Sequence, residues 1–236
     1  MNSNEHLPVK YLILGISGFL IYLFFVPALL FILAGTLKWT MAWIYAILTL
    51  LASILSRIIV FRKNPDTLLE RAKFTSSENT KSWDRIIVII IGFLGPLTIV
   101  IIAGLDYRHR WSIPIPLYIR YVSALIMALS YTFSVWAMVV NRYFSSVARV
   151  QKDREQVVVK TGPYRIVRHP SYSSTLLASL ALPFMLSSFW ALIPASVIIV
   201  ALIIRTYLED KMLQSELEGY YNYIQETPFR LIPGLW

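Results

Sequence analysis

From Pro170 to Ile204 the chain runs 35 residues without a charged side chain. As one α-helix this run would be about 52 Å long, well beyond a hydrocarbon layer of about 30 Å. A chain that carries it must enter a membrane and turn back inside it. Pro183, the Ser187-Ser188 pair and Pro194 are the candidate breakers. They predict a tight hairpin of two short helices, each of about 16 residues, over about 171–186 and 189–205.

Further apolar blocks fit the same reading. Residues 11–34 form 24 positions without a charge and residues 86–105 another 20. Two more spans are expected over 39–61 and 117–141, where Arg57 and Arg120 lie near an end and can snorkel to the interface. The first block is too long for a cleaved signal peptide and lacks a small-residue cleavage site, so it is expected to stay as helix one. With 57% apolar residues against 15% charged, the composition excludes an ordinary soluble enzyme. The fold class expected is an all-α integral membrane protein, a single domain over 1–236 with about six transmembrane helices.

Six crossings sort the basic residues. Of the Lys and Arg outside the spans, 17 fall on the side of both termini and the two long loops, and three (Lys38, Arg108, Arg110) on the other. The positive-inside rule then predicts cytoplasmic N- and C-termini. It also accounts for the net charge of +9, since the basic residues are spread over loops, as attraction to anionic membrane lipids requires, and are not gathered with aromatics on one face as nucleic-acid binding requires. The absence of cysteine excludes a disulfide framework, a thiolate metal site and a cysteine nucleophile.

Polar residues that could carry chemistry are concentrated in three pieces, 62–85, 142–170 and 206–236. In the first, Asn64-Pro65-Asp66 reads as a turn opening a short interfacial helix over 67–71. The second, from Gln151 to Tyr172, is neither helix-periodic nor a span: Val157 to Val159 favour extended backbone, Gly162-Pro163 marks a turn, and His169 precedes Pro170. Irregular backbone at a membrane boundary is tolerated where it is buried in protein or lines a wet cavity, the place for a small polar ligand. At the exit of the last helix into the third piece, Arg205 and Glu209 share a helix face one turn apart. They form either a weak interfacial ion pair or, with Asp210, an inward-facing group able to hold a carboxylate and accept from hydroxyls. The aromatics from Tyr220 to Tyr223 have interfacial anchoring as their default explanation. There is no Gly-x-Gly-x-x-Gly, no Gly-Lys-Ser/Thr phosphate loop, no Gly-x-Ser-x-Gly and no His-Glu-x-x-His or clustered histidine set, so no metal is expected.

Taken in order, Gly162-Pro163-Tyr164, Arg168-His169-Pro170-Ser171-Tyr172, Arg205 with Glu209-Asp210, and Gly219 with Tyr220 and Tyr223 closely resemble the isoprenylcysteine carboxyl methyltransferase family, which is related to the phospholipid methyltransferases. The resemblance covers about 151–236; upstream, 64–74, Trp83-Asp84-Arg85 and 103–112 resemble the wider prokaryotic branch more weakly. It implies an integral membrane enzyme using S-adenosylmethionine without a Rossmann domain. Its cytoplasmic cofactor pocket would be formed by the connecting loop and the C-terminal tail, with a lipidated or lipid-like acceptor entering from the bilayer. Carried over by motif, Gln151, Gln156, Val157, Val158, Val159, Tyr164, His169, Pro170, Ser171, Tyr172 and Glu209 would line the cofactor. Arg205 would bind the acceptor carboxylate, and Arg205 and Glu209 would be the catalytic pair. Ser174 stands where many members have glycine, and Glu218 where an apolar residue precedes Gly219. The expected reaction is methyl transfer to the carboxylate of a prenylated cysteine or similar lipidic acid. The alternatives are a phospholipid or lipid amine N-methyltransferase, an NADPH-dependent membrane sterol or lipid reductase, and a non-enzymatic scaffold.

Overall fold

The structure is a computed structural model that describes residues 23–65, 67, 70 and 80–236. Seven α-helices can be followed in it: α1 Leu23–Ala34, α2 Thr40–Lys63, α3 Ser82–His109, α4 Leu117–Val140, α5 Pro170–Met185, α6 Leu192–Glu216 and α7 Tyr220–Glu226. No strand occurs among the described residues. The early part of the first expected span, 11–22, and most of the expected interfacial helix at 67–71 lie outside the described residues.

Four helices, α2, α3, α4 and α6, are long and apolar enough to cross a membrane. At most a third of each apolar window is buried inside the protein. The outward faces instead present large side chains such as Leu125, Leu129, Val197, Val200 and Ile204. A soluble monomer does not leave apolar surface on this scale in water. The chain is an integral membrane protein.

Helix α5 packs along α4, α4 also meets α2, and α6 lies against α5 and α3. The approach of α6 to α3 depends on Gly95. A Cβ there would lie 2.3 Å from Cγ1 of Ile198 and 2.8 Å from the Ile90 carbonyl oxygen, so a larger residue cannot enter without a shift at this contact. Just before it, α3 widens into a π-helical stretch over Ile90–Leu94. Pro96, which cannot donate an N–H, follows directly, and the wide turn accommodates it inside a continuous span.

Of the three candidate breakers, the serine pair lies at the turn between α5 and α6, and neither proline interrupts a helix. Pro183 stays inside α5 and Pro194 sits in the first turn of α6. The chain turns at Ser187, in the left-handed region at φ 59°. The Ser187 hydroxyl accepts from the Ile115 N–H at 2.8 Å, and that of Ser188 donates to Asp106 Oδ2 at 2.5 Å while accepting from the Ala191 N–H that begins α6. Tertiary hydrogen bonds, not proline geometry, set the turn.

A second departure concerns α6, expected to end at Arg205 but continuing to Glu216. No helix breaker intervenes before Gly219, whose φ of +78° marks the real corner, and Met212 and Leu217 remain buried beyond Arg205. The segment expected as a polar tail is therefore partly an extension of a transmembrane helix. This extension carries Glu209 and Asp210 on rigid backbone.

Candidate active site

Between Val140 and Pro170 the chain is irregular, and each local feature has a sequence cause. A 3₁₀ turn at Lys152–Arg154 ends at Glu155 with φ 48°. Residues 156–159 run without helix, and a second 3₁₀ turn at Gly162–Arg165 starts on Gly162 with φ +58°. His169 precedes α5, and Pro170 takes the first helical position, where its missing N–H costs nothing. This segment lies against α6 and α7 and shares with Tyr220 and Tyr223 a small apolar core separate from that of the bundle.

Together these elements enclose one cavity, with an empty space of about 770 Å³ including its open mouth. Gln156, Val157, Val158, Val159, Tyr164, His169, Pro170, Ser171, Tyr172 and Glu209 all line it. Two residues expected here do not. Gln151 is buried to one side, where its amide donates to the Tyr143 carbonyl at 2.5 Å and accepts from Arg154 Nη1 at 2.7 Å. It braces the loop, and its own N–H binds the Gln156 side chain at 2.7 Å. Arg205 lies one layer back, its guanidinium 5.0 Å from the centre of the Tyr172 ring.

Of the two readings of the charges on α6, the inward-facing one holds. Arg205 pairs not with Glu209 but with Asp84 at the start of α3, through Nε at 2.7 Å and Nη2 at 3.2 Å. Nη2 also donates to the Ser146 carbonyl at 3.0 Å, and Asp84 accepts from the Ala148 N–H at 2.6 Å. Glu209 is held instead by the Tyr172 hydroxyl.

A second buried carboxylate organises the other wall. Asp210 accepts from Arg168 Nε at 2.8 Å and Nη2 at 3.1 Å, from Arg230 Nε at 3.0 Å and from the Tyr220 hydroxyl at 2.8 Å. His169 Nε2 lies 3.3 Å from the same group. If that contact carries the ring proton, Nδ1 is left as the acceptor. Arg168 Nη1 also donates to the Thr227 and Pro228 carbonyls, stitching the C-terminal segment to the base of α5. Tyr223 donates to the Tyr164 carbonyl at 2.6 Å. The default of interfacial anchoring is thus replaced for Tyr220 and Tyr223 by buried hydrogen bonds, while Tyr221 remains exposed. Burial pushes the phenols of Tyr164, Tyr220 and Tyr223 well above their ordinary range, so all three are neutral at any physiological pH; Tyr220 and Tyr223 donate, while the Tyr164 hydroxyl accepts from Asn141 Nδ2 at 3.0 Å.

Sequence reasoning missed Asp84. The available signal was an acid two positions before an uncharged run of 20, which must find a partner or leave the membrane. Nothing in the sequence alone singles out Arg205 as that partner.

The lining combines a carboxylate able to accept from hydroxyls, histidine and serine groups, and an apolar wall of valines, Leu213 and Leu217. That donor set suits a nucleoside-like molecule with polar and apolar parts. The profile of the phospholipid methyltransferase family matches residues 119–218, which takes in α4, the irregular segment, α5 and α6. Among solved structures, the chain resembles the eukaryotic intramembrane Ras methyltransferase ICMT (isoprenylcysteine carboxyl methyltransferase). The likeness has a TM-score of 0.50 at 16% identity, over 93% of this chain and 86% of that one. No curated protein matches it significantly. The family match and the shared fold support the resemblance read from the motifs, and with it a membrane methyltransferase of this type.

Proposed function

We propose that the chain transfers a methyl group from S-adenosylmethionine to the carboxylate of a prenylated cysteine or a similar lipidic acid, with Glu209 and Arg205 as the catalytic pair. The observation that carries the reading is the convergence of Gln156 to Val159, Tyr164, His169 to Tyr172 and Glu209 on one cavity. Bound there, S-adenosylmethionine supplies an electrophilic methyl group on a positively charged sulfur. The Glu209 carboxylate would accept from its hydroxyls, and the valine edge and Tyr164 would cover its apolar parts. Methyl transfer needs donor and acceptor in line, which rigid helices α5 and α6 provide more accurately than loops. Excluding water would strip the acceptor of hydration, and Nη1 of Arg205, the guanidinium nitrogen without a hydrogen bond among the described residues, would orient an acceptor that reaches the layer behind Tyr172.

One observation favours a second acceptor, a lipid amine. Asp84 already matches the charge of Arg205, while Glu209 is bonded by a neutral phenol. A cavity carboxylate bonded by a phenol and not by the arginine suits a basic acceptor better than an anionic one.

Calorimetric titration of the detergent-purified protein with S-adenosylhomocysteine, beside NADPH, tests the class. Saturable binding of the former, weakened in Glu209→Ala, is expected. Binding of NADPH alone would move the chain to the reductases, and binding of neither would favour a scaffold. Methyl-labelled cofactor offered with a prenylated cysteine and with an aminophospholipid then separates the acceptors. Positive-inside sorting supports a cytoplasmic cavity with both termini on the same side. Single cysteines introduced at Lys38 and Lys152 of this cysteine-free chain test it. Labelling of position 152 from outside intact cells would reverse the orientation.

A further inference from the structure

We propose that Asp84 is a positioning residue for the cofactor site, acting through Arg205 and Tyr172 on Glu209. The inference rests on reading the cavity as the S-adenosylmethionine site.

Asp84 is fully buried at the start of α3 and does not itself line the cavity; its carboxylate is hydrogen-bonded by Arg205 and by the Ala148 N–H. Its Oδ1 takes Arg205 Nε at 2.7 Å, and its Oδ2 takes both Arg205 Nη2 at 3.2 Å and the Ala148 N–H at 2.6 Å. A fork held at two points has its plane fixed, which a lysine or a single contact would not achieve. That plane bears on the Tyr172 ring, with 5.0 Å from the guanidinium carbon to the ring centre, and the ring stacks with His169 at 5.4 Å and an interplanar angle of 9°. The hydroxyl of the same ring donates to Glu209 Oε2. Glu209 is flexible by nature, with three side-chain torsions, and this phenol is the hydrogen-bond partner that selects its rotamer in the described structure. A chain of contacts therefore runs from α3 through α6 and α5 back to α6, and its last member faces the cavity.

Asp84 holds the opposite wall as well. Its bond to Ala148 fixes the segment on which Tyr143, Phe144, Ser145 and Val147 line the cavity, and Arg205 secures that segment again at Ser146. One carboxylate thus sets the position of two walls that meet across the site.

The test is a double-mutant cycle read by S-adenosylhomocysteine affinity. Asp84→Asn keeps the size and one acceptor but loses the charge and the second fork contact. It is expected to weaken binding about five- to fiftyfold, the scale of a lost charge-assisted hydrogen bond. In a Tyr172→Phe background, where the link to Glu209 is already cut and only the hold on the Ala148 segment remains, the same substitution should weaken binding by a clearly smaller factor. A general loosening of the fold would lower affinity by the same factor in both backgrounds, and that result overturns the proposal. Should Asp84→Asn not fold, Arg205→Lys interrupts the next link and is judged by the same criterion. Failure of the wild-type protein to bind S-adenosylhomocysteine would instead defeat the reading of the cavity.

Discussion

The two poles of the helical bundle both bury aspartates, yet they satisfy them differently. At the pole of the hairpin turn, Asp106 accepts from the Ser112 N–H and hydroxyl at 2.7 and 2.6 Å and from the Ser188 hydroxyl at 2.5 Å. At the cavity pole, Asp84 and Asp210 are bonded by arginines. Neutral donors are enough to fasten a turn. Guanidinium forks impose a plane and carry charge into a region of low dielectric, where breaking a pair is costly. The contrast places geometric control at the pole that holds the cavity, as a site that must align two reactants requires.

Asp210→Ala is the strongest way to break the comparison. It would leave Arg168, itself nearly inaccessible, together with Arg230 and the Tyr220 hydroxyl, without their shared acceptor. Removing one member of such a buried group costs about 3–5 kcal/mol, so thermal unfolding in detergent or lipid should shift by the largest amount of any single change considered. Affinity for S-adenosylhomocysteine should fall with it, because His169 and the Thr227–Pro228 strap lose their common anchor. A small shift with unchanged affinity would mean that the arginines are hydrated and the charged pole is not specially built.

Ser188→Ala probes the other pole. The change removes one donor to Asp106 and the hydroxyl that receives the Ala191 N–H, at an expected cost of about 1–3 kcal/mol. Stability should drop while S-adenosylhomocysteine affinity stays at the wild-type value. A loss of affinity here would erase the distinction between a fastening pole and a functional one.

Why the sequence discloses some of this and not the rest follows from the range over which each signal acts. Apolar run length is a local property, so the apolar helices α2, α3 and α4 could be read directly, while the serine pair at the turn after α5 stood only as one of three candidate breakers. The cavity lining from Gln156 to Tyr172 was legible for a different reason, since its residues are neighbours in the chain around one Gly-Pro turn and one His-Pro boundary. The ends of α6 and the pairing of its charges were not legible. Arg205 and Glu209 at i and i+4 suggest each other, yet the true partner of Arg205 lies 121 residues away, on a helix brought near by the contact of Gly95 with Ile198. The place of Gln151 beside the cavity and not in its wall was hidden for a similar reason. A glutamine beside a turn has the same local pattern whether it faces a ligand or braces its own loop, and the carbonyl of Tyr143 decides between them.

The smallest expected effect sharpens the comparison most. Lys160 and Glu226 form an ion pair of 2.7 Å at the cavity pole, linking the segment after the valines to α7, but their side chains are 40% and 57% exposed. If charge alone distinguished this pole, breaking the pair would matter as much as breaking Arg168–Asp210. If burial is what gives the forks their strength, Lys160→Met should change stability by less than about 1 kcal/mol, because water already screens both groups and holding two long side chains together costs entropy. Repeating the unfolding measurement at high salt separates the cases further. Added salt should leave the Lys160→Met difference near zero and barely alter the Asp210→Ala loss, since counterions reach exposed pairs and not buried ones. A Lys160→Met penalty approaching that of Asp210→Ala, and vanishing in salt, would assign the rigidity of the cavity pole to its surface field and not to its buried carboxylates.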